Sequence, residues 1–193
     1  MMTVHGAAFI FKALGILAVG PKAAGKSILT AAAEAAGSKV VSDDWLLMGW
    51  AQEEIRTERL RGFLMLRDSW AASKLTEKES FQPNSDRPKS VKLIPSDSER
   101  YPVATKIDQI WLLSRPPGGR RATSTIQPAQ PKETLSALIS AGMPILMTAA
   151  FPHEHRELSQ MLQRCLASTR HFSVQTGLDL VEDPGGTLSR LVG

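Results

Sequence analysis

Eight consecutive residues, Gly20-Pro21-Lys22-Ala23-Ala24-Gly25-Lys26-Ser27, have the types and spacing needed to hold a chain of phosphates. Gly20 and Gly25 allow the backbone to curl with its N–H groups facing inward. Those groups and the N-terminal end of the helix that follows attract phosphate oxygens. Lys26 is placed to reach the β- and γ-phosphates, and the Ser27 hydroxyl to bind magnesium. The expected nucleotide-binding set is therefore Gly20, Pro21, Lys22, Ala23, Ala24, Gly25, Lys26, Ser27 and, in the first helical turn, Ile28. Lys22 adds a positive charge, but solvation is its ordinary state. A strand–helix turn that binds nothing is the plainer alternative. The flanking sequence favours a nucleoside triphosphate, because an apolar run precedes the loop and a strong helix former follows it.

Asp43-Asp44 is the second candidate, some 16 residues after Ser27, at the end of another apolar run. A carboxylate there can meet magnesium directly or through water, or accept a proton from an attacking hydroxyl. Aspartate also commonly ends strands for local reasons. Its place one strand beyond the loop favours chemistry.

These groups need elements to position them. Residues 3–11 are β-branched and aromatic and predict a strand, with a hairpin turn over 12–15 and a buried strand over 16–19. Residues 26–36 are rich in alanine and stop at Gly37, which predicts a helix and its C-cap. Residues 39–42 and 45–50 predict strands. Residues 51–75 are mixed, and over 56–66 the pattern fits a helix or short strands equally. Residues 76–105 carry Pro83, Pro88, Pro95 and Pro102 and predict the most mobile part, a loop with short strands. A strand is expected over 107–113, a second proline-rich loop over 115–131, helices over 132–140 and 153–167 behind Pro131 and Pro152, and a strand over 171–174. The tail, with Gly185-Gly186, predicts a turn and a short terminal element.

With 193 residues, 42% hydrophobic and 22% charged, the chain suits one globular domain across 1–193. One cysteine, Cys165, excludes an internal disulfide, and its apolar neighbours predict a packed, inert thiol. No run reaches the length of a membrane span, and residues 7–19 lead straight into the phosphate loop without a cleavage site. The expected setting is reduced and cytoplasmic, without a membrane partner. A net charge of +4 favours anionic ligands. The basic residues are scattered without interleaved aromatics, which argues against nucleic acid. His153 and His155 fall on different sides of a helix, so they make no zinc pair.

The order of these features resembles the catalytic domain of HPr kinase/phosphorylase, the bacterial serine protein kinase, and its smaller relatives. His5-Gly6, the loop from Gly20 to Ser27 and Val41-Ser42-Asp43-Asp44 carry the resemblance. Arg61-Gly62 and the late helices add to it more weakly. It implies an α/β fold shared with phosphoenolpyruvate carboxykinase, with a P-loop on a mixed, largely antiparallel sheet and flanking helices. The cofactors implied are ATP or GTP and Mg2+, and the partner a peptide or protein that offers a serine hydroxyl. By position Asp43 would be the general base, Lys26 a catalytic cation, and Asp44 with Ser27 the metal side. His5 would lie close to the aspartates and influence their protonation. Related kinases are often homo-oligomers. Full HPr kinases carry an N-terminal domain for which this chain leaves no room. They also have a glutamate where Arg59 stands, so the chain departs from the pattern that goes with phosphorylase activity and with HPr as substrate. Some small relatives modify ribosomal peptide precursors, including those of lasso peptides.

Arg61, Arg67, Arg115, Arg120 and Arg121 are candidates for gripping phosphate or substrate, against ordinary surface solvation for each. The expected activity is transfer of a phosphoryl group to a serine hydroxyl. A kinase for a small-molecule alcohol and a non-catalytic ATP sensor are the alternatives, and a nucleic-acid-dependent ATPase a weaker one.

Overall fold

The structure, a computed structural model, describes residues 1–66, 82–83, 90–94, 98–114, 122–146 and 152–193. In chain order the first half holds β1 (Met2–Phe11), β2 (Leu14–Val19), α1 (Lys26–Ala35), β3 (Lys39–Ser42), β4 (Trp45–Ala51), β5 (Glu54–Arg59), β6 (Phe63–Leu66), β7 (Gln82–Pro83) and β8 (Ser90–Leu93). The second half holds β9 (Ala104–Lys106), β10 (Gln109–Leu113), β11 (Thr125–Pro128), α2 (Pro131–Leu146), α3 (Pro152–Ser168), β12 (Arg170–Gln175), α4 (Asp179–Glu182) and α5 (Pro184–Val192).

Nine strands form one sheet in the order β11-β12-β10-β2-β1-β4-β5-β9, with β3 also paired to β1. Only β10 runs parallel to its two neighbours, β2 and β12. The other pairings in this sheet are antiparallel. The mixed, largely antiparallel sheet with flanking helices is the architecture that the resemblance implied.

Alternation along the strands supplies the sheet with two apolar faces. Phe9, Phe11, Ile16, Ala18, Trp111 and Val174 pack with Leu29 and Ala32 of α1, Leu180 of α4 and Leu188 of α5. Val4, Leu17, Val19, Leu46, Met48 and Ile110 pack with Leu138 of α2 and Met161, Leu162 and Cys165 of α3. The result is a sheet sandwiched between two helical layers.

Helix α1 ends as its sequence predicts. Gly37 sits at φ +79°, its N–H donates to Glu34 O at 3.0 Å, and Ser38 N donates to Ala33 O at 2.9 Å. This closes the last carbonyls in a Schellman motif. Glu34, buried in α1, accepts hydrogen bonds from Lys92 and Tyr101. That pairing ties the small sheet β6-β8-β7 to the helix.

Several expectations need correction. Residues 125–128, expected as loop, form β11 on the outer edge of β12, where Pro128 is tolerated. Thr125, Gln127 and Pro128 are exposed there, so no buried alternation marks the strand. The expected strand over 107–113 starts at Gln109, because Ile107 N and Asp108 N turn to Ile55 O and Gly15 O. The tail forms two helices, α4 and α5; the short terminal element expected there is α5, but no turn precedes it at Gly185-Gly186. Asp183 caps α5 by accepting from Gly186 N at 3.0 Å, and Pro184 opens it, so the glycine pair lies in the first turn and does not end the helix. The ambiguous stretch 56–66 carries short strands, the end of β5 and β6, and 67–75 lie outside the described residues. Half of the mobile loop expected over 76–105 falls outside the described residues, and its described parts include β7, β8 and most of β9.

Cys165 is fully buried, and desolvation pushes its thiol up to about 11 despite an opposing contribution from Thr169. The thiolate needed for disulfide exchange is therefore scarce below that range. At pH 8 the folded protein should react with a disulfide reagent far more slowly than the protein unfolded in urea, which should titrate to one thiol per chain. Equal rates folded and unfolded would contradict the buried placement.

Candidate active site

The candidate residues meet because of strand register. β1 pairs on one side with β2 through Gly6↔Val19, which delivers Gly20 and the phosphate loop beside His5. Its other side pairs first with β3, through Ala8↔Ser42, and then with β4, through His5↔Trp45. β3 and β4 thus run as one interrupted edge along β1, and Asp43-Asp44 occupies the interruption. Gly6 N donates to Asp44 O at 2.8 Å and holds it there.

The parallel strands converge at the same end. Leu112↔Val19 and Leu113↔Val174 bring the C-terminal ends of β2, β10 and β12 together. This is where open α/β sheets bind ligands. Gly20 lies so close to β10 that a Cβ there would meet Leu113 O at 2.4 Å.

The loop turns into α1 through Gly25, at φ +101°, with Ala23 also left-handed at φ +64°. Among the described residues no side chain caps the helix, and its first turn has no acidic residue. Its leading N–H groups and dipole therefore remain suited to an anion. Ser27 and Ile28 stand half-buried in this turn. Lys26 is buried, and its Nζ donates to Gly20 O at 2.7 Å and to Pro21 O at 3.1 Å. Burial lowers its pKa, while the charge of Asp44 acts in the opposite direction. Lys26 and Asp44 therefore share one electrostatic environment. Pro21, Lys22 and Ala23 are exposed on the outside of the loop, and Ala24 is buried with its N–H donating to Pro21 O at 3.2 Å.

Among the described residues Arg61 and His5 hold Asp44. Arg61 Nη1 donates to Oδ2 at 2.6 Å, and His5 Nε2 lies 3.2 Å from Oδ1. His5 also stands against Trp45, with ring centroids 5.3 Å apart. Asp43 is buried, and its Oδ2 accepts from Met65 N in β6 at 2.7 Å. Arg59 lies elsewhere, donating to Tyr101 O.

Thus Lys26, Ser27, Asp43, Asp44, His5 and Arg61 are gathered at one end of the sheet. Arg67, Arg115, Arg120 and Arg121 lie outside the described residues. Two contacts have no counterpart in the sequence reading. One is the Met65 amide on Asp43; a backbone donor leaves no mark in residue types. The other is Thr176 against Gly25, signalled only by a Thr-Gly pair after a short strand.

The chain's fold is similar to that of the Hpr(Ser) kinase/phosphatase from Coxiella burnetii. That match covers 100% of this chain and 88% of the other, with a TM-score of 0.52 and 10% sequence identity. At that identity the likeness is one of fold. No protein-family model and no curated protein matches the sequence. Among the described residues no helix is long and apolar enough to cross a membrane, and no three His, Cys, Asp or Glu side chains are grouped to hold a metal. Magnesium does not require such a cage, since it is commonly held by one or two carboxylates, waters and substrate phosphates. Asp44 and Ser27 fit that donor set.

Gly25 and Gly37 both have positive φ, but a Cβ on Gly25 would come within 2.8 Å of Thr176 Oγ1, whereas one on Gly37 would meet nothing within 4 Å. Gly37→Ala should cost only left-handed strain, about 1 kcal/mol. Gly25→Ala should cost about 1 kcal/mol more, through crowding. Urea denaturation of both variants measures the difference, and equal losses would show that the phosphate loop is not packed against Thr176.

Proposed function

We propose that this chain is a phosphotransferase that uses ATP or GTP with Mg2+ and phosphorylates a serine hydroxyl on a peptide or small protein. The observation that carries the reading is the register of β1, which brings a phosphate loop, a buried lysine and two adjacent aspartates to one end of the sheet. The shared fold with a kinase/phosphatase supports it.

In this reading the N–H groups of the loop and of the first turn of α1 hold the phosphates. Lys26 exchanges the Gly20 and Pro21 carbonyls for phosphate oxygens, which are stronger acceptors because they carry charge. Ser27 and Asp44 would hold the metal, which would supply positive charge to the transferring phosphoryl group. Asp43 takes the proton from the serine hydroxyl. The serine oxygen then bonds to the γ-phosphorus, the bond to the β–γ bridging oxygen breaks, and the nucleoside diphosphate departs. Arg61, with its guanidinium exposed beside Asp44, supplies positive charge on the acceptor side, and His5 steadies the Asp44 carboxylate. The Met65 amide orients Asp43. The acceptor's peptide nature rests on the resemblance in His5-Gly6, the phosphate loop and Val41-Ser42-Asp43-Asp44.

Transfer of labelled γ-phosphate to a panel of serine peptides tests the proposal. Lys26→Ala should lower transfer by about 100-fold or more. Asp43→Asn should lower it by about 100-fold while leaving nucleotide binding intact, because an asparagine oxygen can still accept from Met65 N. Chelating Mg2+ should abolish transfer. Undiminished transfer in Lys26→Ala would refute the assignment.

A further inference from the structure

The loop that follows β12 is fixed by a cluster outside the site described above. Ser124 is fully buried, and Asp179 Oδ1 accepts from its N at 2.8 Å and from its Oγ at 2.6 Å. Gly177 N donates to Ser124 Oγ at 2.8 Å. Arg190 of α5 closes the ring, donating to Asp179 Oδ2 at 2.6 Å and to Ser124 O at 2.9 Å. Thr187 Oγ1 adds a bond to Asp179 O at 3.0 Å. Gly177 has no room for a side chain, since a Cβ there would meet Thr123 C at 2.5 Å and Ser124 N at 2.6 Å.

This cluster immobilises the residue next to it. Thr176 is presented to Gly25, the last glycine before Lys26. A Cβ on Gly25 would lie 2.8 Å from Thr176 Oγ1 and 3.7 Å from its Cγ2, so the hydroxyl and not the methyl faces the phosphate loop. Among the described residues that hydroxyl makes no hydrogen bond, although every polar group fixing its neighbour Gly177 is engaged. A half-buried hydroxyl on a rigid support, turned to the glycine whose amide adjoins Lys26, has the placement of a ligand group.

We propose that Thr176 is an additional phosphate-binding residue, donating its hydroxyl to a phosphate oxygen of the nucleotide, with Ser124, Asp179 and Arg190 as the residues that position it. The inference rests on the nucleotide-binding reading of the loop. A neutral hydroxyl on a charged phosphate oxygen is a charge-assisted hydrogen bond, whose loss weakens binding by about tenfold or more.

The test is calorimetric titration of the full chain with Mg-ATP and, separately, with Mg-tripolyphosphate, for the native protein, Thr176→Val and Thr176→Ser. Valine keeps the volume and removes the donor, and serine keeps the donor. Thr176→Val should bind both ligands about tenfold more weakly, with an unchanged melting temperature in their absence, while Thr176→Ser should bind close to the native level. Native affinity for both ligands in Thr176→Val would overturn the proposal. So would a loss confined to ATP, which would place the contact on the nucleoside. If the native chain binds neither ligand, the phosphate-loop reading itself fails, an outcome distinct from native binding that is insensitive to residue 176.

Discussion

A single backbone hydrogen bond marks the point on which the site depends. Gly6 N donates to Asp44 O at 2.8 Å, in the gap between the β3 and β4 pairings along β1. At the same residue, on the opposite side of the strand, Gly6↔Val19 fixes where β2 releases the loop from Gly20 to Ser27. A one-residue slip in either pairing would turn every side chain of the slipped strand to the other face and separate Lys26 from Asp44. Such a slip would also take fully buried residues, including Val4, Leu17, Val19 and Leu46, out of their packing against the helices of one layer and force them into the other. Each carries about 1.5–3 kcal/mol of burial energy, so core packing enforces the register that the site needs.

The charges at the site are engaged within the protein. Lys26 rests on two loop carbonyls, and Asp44 on Arg61 and His5. This arrangement limits the cost of placing a cation and a carboxylate where water is scarce. It also sets the terms for a ligand, which must replace neutral carbonyls with something better. A hydrogen bond to an ionised acceptor contributes about twice as much as one to a neutral acceptor, which favours phosphate at Lys26. Arg61 has its side chain 41% exposed, whereas Asp44 is 13% exposed, so the arginine is the partner that solvent can accept if the carboxylate turns to another cation.

The parts of the fold legible in the sequence are those whose physics is local. The alanine run and Gly37 specify α1 and its cap, and the apolar runs specify β1, β2 and β3. Less legible were features set by distant partners. The turn at Gln52-Glu53 has positive φ at both residues without a glycine or asparagine to signal it. β11 is an exposed edge that exists because β12 offers it hydrogen bonds. Gly185-Gly186 looks like a turn until Asp183 caps the helix they begin. At the site, residue types pointed to Lys26, Ser27, Asp43, Asp44 and His5. The amide of Met65 and the hydroxyl of Thr176 enter only through tertiary contacts across long stretches of chain.

The central claim is that the loop from Gly20 to Ser27 reads a polyphosphate. Calorimetric binding of ATP, ADP and AMP to the full chain, each with excess Mg2+, tests it most directly. ATP and ADP should bind, and AMP should bind at least about tenfold more weakly, because it lacks the phosphates that Lys26 and the first turn of α1 are placed to hold. AMP binding as tightly as ATP, or no binding of any of the three, would contradict the account.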